Sequence, residues 1–228
     1  MTDDTVKVPV EYWNELKQRD LKKLCENAVA KACPSKGLVM PFLGKEIRVD
    51  WVDRCLRRLK HDRWERVDYP LLELLLLVYL LNAKPDSLNH EMISVQELKD
   101  SHFFQGPHEL KVSPLLERYG HDLNGFKKAA ESLGGEAQDL ADAAYKIPAF
   151  PKAPIYYLLW EGDDEFEPRL SILFDRSVEK HLQADAIWGL VNVVTDALLM
   201  ERGKGFEPPT RETRKPEGEQ GNVILTGN

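Results

Sequence analysis

The stretch PIYYLLWEGDDEFEPRLSILFD, residues 154–175, is the part of the sequence that decides the fold. Its first run, PIYYLL, is apolar at successive positions, which is typical of a strand covered on both faces at the centre of a sheet. The second run, LSILFD, has the length and composition of a partner strand. The segment between them, 161–169, is longer than an ordinary hairpin turn. The sequence therefore predicts a central hairpin with a long acidic loop.

Helices are predicted on the N-terminal and C-terminal sides of this hairpin. The most apolar run, PLLELLLLVYLLNA at 70–83, predicts a helix over 68–82. Its apolar residues cover nearly the whole helix circumference, so we expect other elements to surround it. Further helices are predicted over 9–32, 52–60, 108–120, 122–135 and 185–202, and two short strands joined at 43–45 are predicted within 37–51.

The order of these elements favours one fold class. The predicted strand pairs are hairpins, and helices interrupt them irregularly, which favours an α+β fold with a small, mostly antiparallel sheet packed against helices. Residues 1–202 are predicted to form a single domain. Residues 203–228 are rich in proline, glycine and charge and are predicted to be a tail.

The charge and cysteine content narrow the classes of partner and compartment. The chain has 38 acidic against 31 basic residues and a formal net charge of −7, which argues against general binding to nucleic acids or anionic membranes. The apolar run at 70–83 is too short to span a bilayer, and the N-terminus lacks a secretory signal pattern. Cys25, Cys33 and Cys55 form no Cys-x-x-Cys pair, so no iron–sulfur motif is indicated and no cofactor is identified. We expect a cytoplasmic protein with reduced thiols.

The acidic loop WEGDDEFEP, residues 160–168, is the first candidate site. Five carboxylates lie within 161–167. Oxygen ligands of this kind suit Mg²⁺ or Ca²⁺, but the loop lacks the regular order of a calcium-binding loop. A docking surface for a protein partner or a purely structural loop is therefore favoured over metal binding and acid–base catalysis. The metal candidates are Asp163, Glu165 and Asp175, and the docking candidates are Asp163, Asp164, Glu165, Phe166 and Glu167.

Several other residue types support only alternatives to this interpretation. Phe166 is predicted to anchor the loop in the core, and either Asp175 or Ser177 is predicted to cap the turn that follows the strand. The histidines at 90, 102, 108 and 121 lack the spacing of a zinc motif. Cys55 lies among arginines that would lower the pKa of an exposed thiol. The sequence contains no phosphate loop, dinucleotide fingerprint or nucleophile motif, so no catalytic residue is assigned.

The segment PIYYLLWEGDDEFEP, followed by ILFDRS at 172–177, resembles an uncharacterised family that is filed as a domain of unknown function. The resemblance extends to GLVMPFLGKEIRV at 37–49 and LLLLVYLL at 74–81, and covers roughly residues 10–200. It implies an origin in anaerobic bacteria or archaea. Some relatives are called iron–sulfur proteins because they carry a separate cysteine-rich module, which this chain lacks. The family supplies no catalytic residues to carry over.

These observations together predict a non-catalytic accessory or binding protein. By analogy with the family, it would be an assembly or regulatory partner of an anaerobic redox or one-carbon metalloenzyme. The acidic loop and residues 204–228 would be its contact surfaces. The alternative is a metal- or cofactor-binding protein, or a metal-dependent enzyme, that uses the loop 161–167 and Asp175. The sequence indicates neither the partner's identity nor the oligomeric state.

Overall fold

Helices and antiparallel strands follow one another along the chain, which confirms the α+β class. The computed structural model describes residues 6–33 and 35–200, so the predicted tail at 203–228 lies outside the described residues. The helices are α1 (Val10–Gln18), α2 (Leu21–Ala28), α3 (Pro70–Asn82), α4 (Ser113–Tyr119), α5 (Leu123–Ser132) and α6 (Ala184–Leu199). The strands are β1 (Lys31–Cys33), β2 (Gly37–Phe42), β3 (Lys45–Asp50), β4 (Cys55–Lys60), β5 (Arg63–Val67), β6 (Met92–Ser94), β7 (Glu136–Gln138), β8 (Ala143–Phe150), β9 (Ala153–Trp160) and β10 (Arg169–Asp175).

The strands form two sheets where the sequence predicted one small sheet. The first is a five-stranded meander in the order β1-β2-β3-β4-β5, and the second is five-stranded in the order β6-β10-β9-β8-β7. Every neighbouring pair is antiparallel. In the second sheet β9 lies at the centre, and all its residues except Trp160 are buried. The prediction of a central strand from PIYYLL is thus confirmed.

The helix predicted over 52–60 is wrong, because this segment contains strand β4, which pairs with β5. His61 and Asp62 join the two strands with φ angles of 45° and 60°, the left-handed backbone of a two-residue hairpin turn. The basic residues of β4 are paired across the sheet, since Arg57 Nε donates to Asp50 Oδ2 at 3.1 Å. Cross-strand ion pairing therefore accounts for a charge pattern that resembles a helix face.

The helix predicted over 9–32 is divided into α1 and α2, and its last residues form β1. Asp20 ends the first unit and caps the second, because its Oδ1 accepts the N–H of Lys23 at 2.9 Å. Val29 follows α2 with a φ of 56°, which turns the chain away from the helix axis. The division allows both short helices to pack on α3.

The helix predicted over 68–82 is confirmed as α3, which contacts α1, α2 and α6. Most buried apolar side chains of the helices and of both sheets form one continuous hydrophobic cluster, and Ala144, Tyr156 and Leu158 of the second sheet form a smaller, separate one. The two sheets approach each other at Gly44 and Gly134, where a Cβ on Gly44 would lie 3.0 Å from the Gly134 Cα. Among the described residues, no helix has the length and apolarity needed to cross a membrane.

Candidate functional site

The acidic loop, defined here as residues 161–168, joins β9 to β10 and is fixed at its base. The N–H of Glu161 donates to Asp142 Oδ2 at 3.0 Å, and the N–H of Gly162 donates to the Gly120 carbonyl at 3.1 Å. A Cβ on Gly162 would come within 2.7 Å of the His121 ring. The loop therefore begins in close contact with the turn between α4 and α5.

Asp163 organises the tip of the acidic loop. Its Oδ1 accepts the N–H groups of Glu165 and Phe166 at 2.8 and 2.7 Å, and its own N–H donates to the Phe166 carbonyl at 3.0 Å. The hydrogen bonds from Glu165 and Phe166 hold the pKa of Asp163 below its usual range. One carboxylate is thus committed to holding the backbone turn.

The sequence predicted that Phe166 anchors the loop in the core, and this prediction is wrong. Its side chain is 69% exposed, more than any other large apolar side chain in the described residues. The turn around Asp163 directs the ring outward, so the loop presents an aromatic side chain to solvent. An exposed aromatic ring on a hydrogen-bonded turn is a feature typical of protein-binding surfaces.

Three further carboxylates of the loop are close neighbours of Phe166 in the sequence. Asp164, Glu165 and Glu167 are exposed, and within 6–33 and 35–200 none of them forms an ion pair. Arg169, the first basic residue after the loop, lies with its guanidinium 4.4 Å from the centre of the Trp160 ring. The loop surface is consequently negative, with an apolar centre.

Asp175 lies at the opposite end of β10 and is fully buried. It accepts the backbone N–H groups of Asn89, His90 and Ser177 at 2.9, 2.8 and 2.9 Å, and the hydroxyl of Ser177 at 2.5 Å. Burial alone would raise the pKa of Asp175, but these hydrogen bonds outweigh it and lower the pKa. As predicted, Asp175 caps the turn that follows β10, and it also fastens the chain at 89–90.

The structure does not bring the three proposed metal ligands together. Asp163 and Glu165 precede β10 and Asp175 ends it, so the length of the strand, roughly 20 Å, separates them. The described part of the chain contains no group of three or more His, Cys, Asp or Glu residues placed to hold a metal ion. Arg176, which follows Asp175 in the chain, forms ion pairs with Glu91 and Glu97.

The other candidates from the sequence are placed separately. The His108 ring stacks on Phe103 with centroids 4.4 Å apart, while His121 lies beside the base of the acidic loop. Cys55 is buried, and burial raises the pKa of its thiol despite the nearby Arg57 and Arg66. The sequence suggested that the arginines lower the pKa of this thiol, but in the structure the effect of burial outweighs theirs.

A buried polar cluster of His181, Lys84 and Lys152 was not predicted from the sequence. His181 is 1% exposed, and its Nδ1 accepts the N–H of Lys84 at 3.2 Å. The ammonium group of Lys152 donates to the Lys84 carbonyl at 2.5 Å. Burial, together with the positive charge of Lys152, lowers the pKa of His181 to about 4. No local sequence pattern joins these three residues, since each comes from a different segment.

Comparison with known proteins identifies one family. Residues 20–197 match the family model described as "Domain of unknown function (DUF3786)". Neither the curated proteins nor the solved structures contain a match to the chain.

Proposed function

The chain belongs to this DUF3786 family, and we propose that it is a non-catalytic binding protein that docks a basic protein partner through the acidic loop. The observation that carries the proposal is Phe166, which is 69% exposed at the centre of a carboxylate-rich surface. Aromatic side chains are enriched among the residues that dominate binding energy. The partner would offer an apolar pocket for the ring and a basic rim for the carboxylates.

The internal hydrogen bonds of the loop support this proposal. Asp163 holds Glu165 and Phe166 in place, and Gly162 ties the loop to Gly120. A surface that is already ordered loses less conformational entropy on binding than a disordered one. The loop can therefore present Phe166 in one orientation before the partner arrives.

The charge of the loop defines the partner more closely. Exposed carboxylates at 164, 165 and 167 create a negative field that accelerates association with a basic surface. The proposal has three further parts that rest on the family resemblance and the sequence alone. The partner is an anaerobic redox or one-carbon metalloenzyme, the protein is cytoplasmic, and residues 204–228 contribute to binding.

The test is quantitative capture by the full chain from an anaerobic lysate of its source organism. Wild type is compared with Phe166→Ala and with a triple variant carrying Asp163→Asn, Asp164→Asn and Glu165→Gln. Asparagine retains the Oδ1 acceptor of Asp163, so the turn is kept while the charge is removed. The matched control is Val52→Ala, because Val52 is 62% exposed and follows β3 in the other sheet.

We expect one partner to be captured by wild type and by the control, and lost with both loop variants. With the purified partner, Phe166→Ala should weaken binding by about tenfold or more, and the triple variant should slow association and reduce its salt dependence. A partner recovered equally by all four proteins would contradict the proposal. Deletion of 204–228 tests whether this segment contributes to binding, and the identity of the captured protein tests whether the partner is an anaerobic metalloenzyme.

A further inference from the structure

A second surface, between two helices, has the composition of a small-molecule site. A cavity of about 380 Å³ lies between α3 and α6, and we call it the α3/α6 cavity. Leu71, Leu74 and Val78 of α3 line it and are only partly buried. Because α3 is apolar around nearly its whole circumference, the side that α1, α2 and α6 leave uncovered supplies an apolar floor.

Three aromatic rings form one wall of the α3/α6 cavity. His108 stacks on Phe103 and meets the Trp188 ring edge-on, with centroids 5.3 Å apart and an interplanar angle of 84°. Trp188 lies on α6, one residue before Gly189, where a Cβ would approach Leu75 to 3.2 Å. Gly189 thus allows α6 to lie close to α3 while Trp188 borders the open space.

The mouth of the cavity is acidic. Phe103, Gln183 and Asp185 line both the α3/α6 cavity and a neighbouring polar cleft of about 690 Å³. Among residues lining the cavity, Asp185 carries the one carboxylate. The cleft adds Asp100 and Glu179 against a single lysine, Lys99. An apolar, aromatic interior therefore opens into a negatively charged entrance.

We propose that the α3/α6 cavity binds an organic cation with a ring-sized apolar body and an ammonium group. Aromatic faces attract cations, and a neighbouring carboxylate adds to this attraction. The apolar body would cover Leu71, Leu74 and Val78, while the ammonium group lies towards Asp185. The volume falls within the range of ligand pockets. A protein cavity of about 150 Å³ holds one benzene ring, so about 380 Å³ suits roughly two rings. This site does not depend on the acidic loop.

The test uses three probes that share an indole body and differ in charge: tryptamine, tryptophol and indole-3-acetate. Binding to the full chain is measured by calorimetry and by ligand-observed magnetic resonance. We expect tryptamine to bind about threefold to fivefold more tightly than the neutral tryptophol, and indole-3-acetate to bind most weakly. Trp188→Phe should weaken all three probes, because phenylalanine is the poorer aromatic partner for a cation and fills less of the wall.

Two further variants separate charge from volume. Asp185→Asn keeps the oxygen that accepts the Ala186 N–H at 2.8 Å, so it should reduce the preference for tryptamine and leave tryptophol binding unchanged. Leu74→Trp should fill the cavity and weaken every probe at least about tenfold, and Val78→Phe serves the same purpose if Leu74→Trp does not fold. Asp62→Asn in the β4–β5 turn is the charge control, because Asp62 is exposed and asparagine tolerates its φ of 60°, and it should leave the binding of all three probes unchanged.

Two results would overturn the proposal. Equal binding of tryptamine and tryptophol, with no effect of Asp185→Asn, would show that the acidic mouth selects no cation. Absence of binding by all three probes at millimolar concentration, as would occur if a second copy of the chain covered the cavity, would show that it takes no small ligand. Both results leave the capture experiment on the acidic loop unaffected, so the two proposals fail separately.

Discussion

The two ends of β10 carry the same chemical group in opposite surroundings. Before the strand, the exposed Asp163 accepts two backbone N–H groups. At its end, the buried Asp175 accepts three backbone N–H groups and a hydroxyl. Hydrogen bonds lower the pKa of both carboxyl groups. The local chemistry is thus similar, and burial determines how strongly the fold depends on each carboxylate.

This difference separates structure from recognition along one strand. Water can replace Asp163 as a hydrogen-bond partner, so its turn is local and its neighbours remain free to contact another molecule. The Asp175 carboxylate and the Ser177 donors are buried, and an unsatisfied buried donor is costly. The acidic loop is therefore the end of β10 that can serve a partner, and Asp175 is the end that holds the fold.

Replacing Asp175 should produce the largest effect. Asp175→Ala leaves the two buried donors of Ser177 and the part-buried N–H groups of Asn89 and His90 without their acceptor, and we expect the free energy of unfolding to fall by about 2–4 kcal/mol. Urea denaturation followed by circular dichroism measures this change. A loss below about 1 kcal/mol would remove the distinction between the two ends.

Protonation of His181 should give the next largest effect, again near the buried end. Its folded pKa is about 4 and its unfolded pKa is about 6.5, so the unfolded chain binds more protons between these values. The free energy of unfolding should therefore fall as the pH drops from about 6.5 towards 4, by roughly 3 kcal/mol from this residue.

The matched variant for this prediction is His181→Asn, whose amide oxygen can accept the Lys84 N–H. Urea unfolding of both proteins at several pH values isolates the contribution of the histidine. Parallel pH profiles for wild type and variant would contradict the prediction, because they would show that the pKa of His181 is the same in the folded and unfolded chain.

Asp163→Ala should lower stability much less than Asp175→Ala. The N–H groups of Glu165 and Phe166 lose their acceptor but remain accessible to water. The expected change appears as increased amide hydrogen exchange at 164–166, with little shift of the unfolding midpoint. Unchanged exchange there would mean that the loop is ordered by other contacts.

Phe166→Ala should have the smallest effect on stability, within about 0.5 kcal/mol, since an exposed ring contributes little to the core. Its binding defect, measured in the capture experiment above, should nevertheless equal or exceed that of the triple charge variant. A clear drop in the thermal midpoint would indicate that the ring packs against the protein after all.

Much of the fold follows from local patterns, and the errors have physical causes. The run at 74–81 predicts a buried helix, and PIYYLL predicts a covered strand, because a dense apolar pattern has few other solutions. The helix prediction for 52–60 was wrong because strand formation there depends on pairing with β3 and β5, which are separate stretches of the chain. The spacing of apolar and charged residues in CLRRLK, residues 55–60, is compatible with both a helix and a strand.

The position of the acidic loop between two strands was predicted from the sequence, but its conformation was not. The charge of the acidic loop and the capping role of Asp175 are readable from composition and spacing. The outward direction of Phe166 was not, because it depends on the turn that Asp163 forms. The α3/α6 cavity was missed for a similar reason: Leu71, Leu74 and Val78 look like core residues in a helix whose every face is apolar.

The sequence by itself determined the α+β class, the central hairpin of the second sheet, the buried helix α3 and the location of the acidic loop. These depend on periodicity and charge, which are properties of neighbouring residues in the chain. Only the tertiary structure decided the number of sheets, the separation of Asp163 from Asp175 and the side of α3 that remains open. Burial is set by residues distant in sequence, and it gives otherwise similar carboxylates at the two ends of β10 different roles.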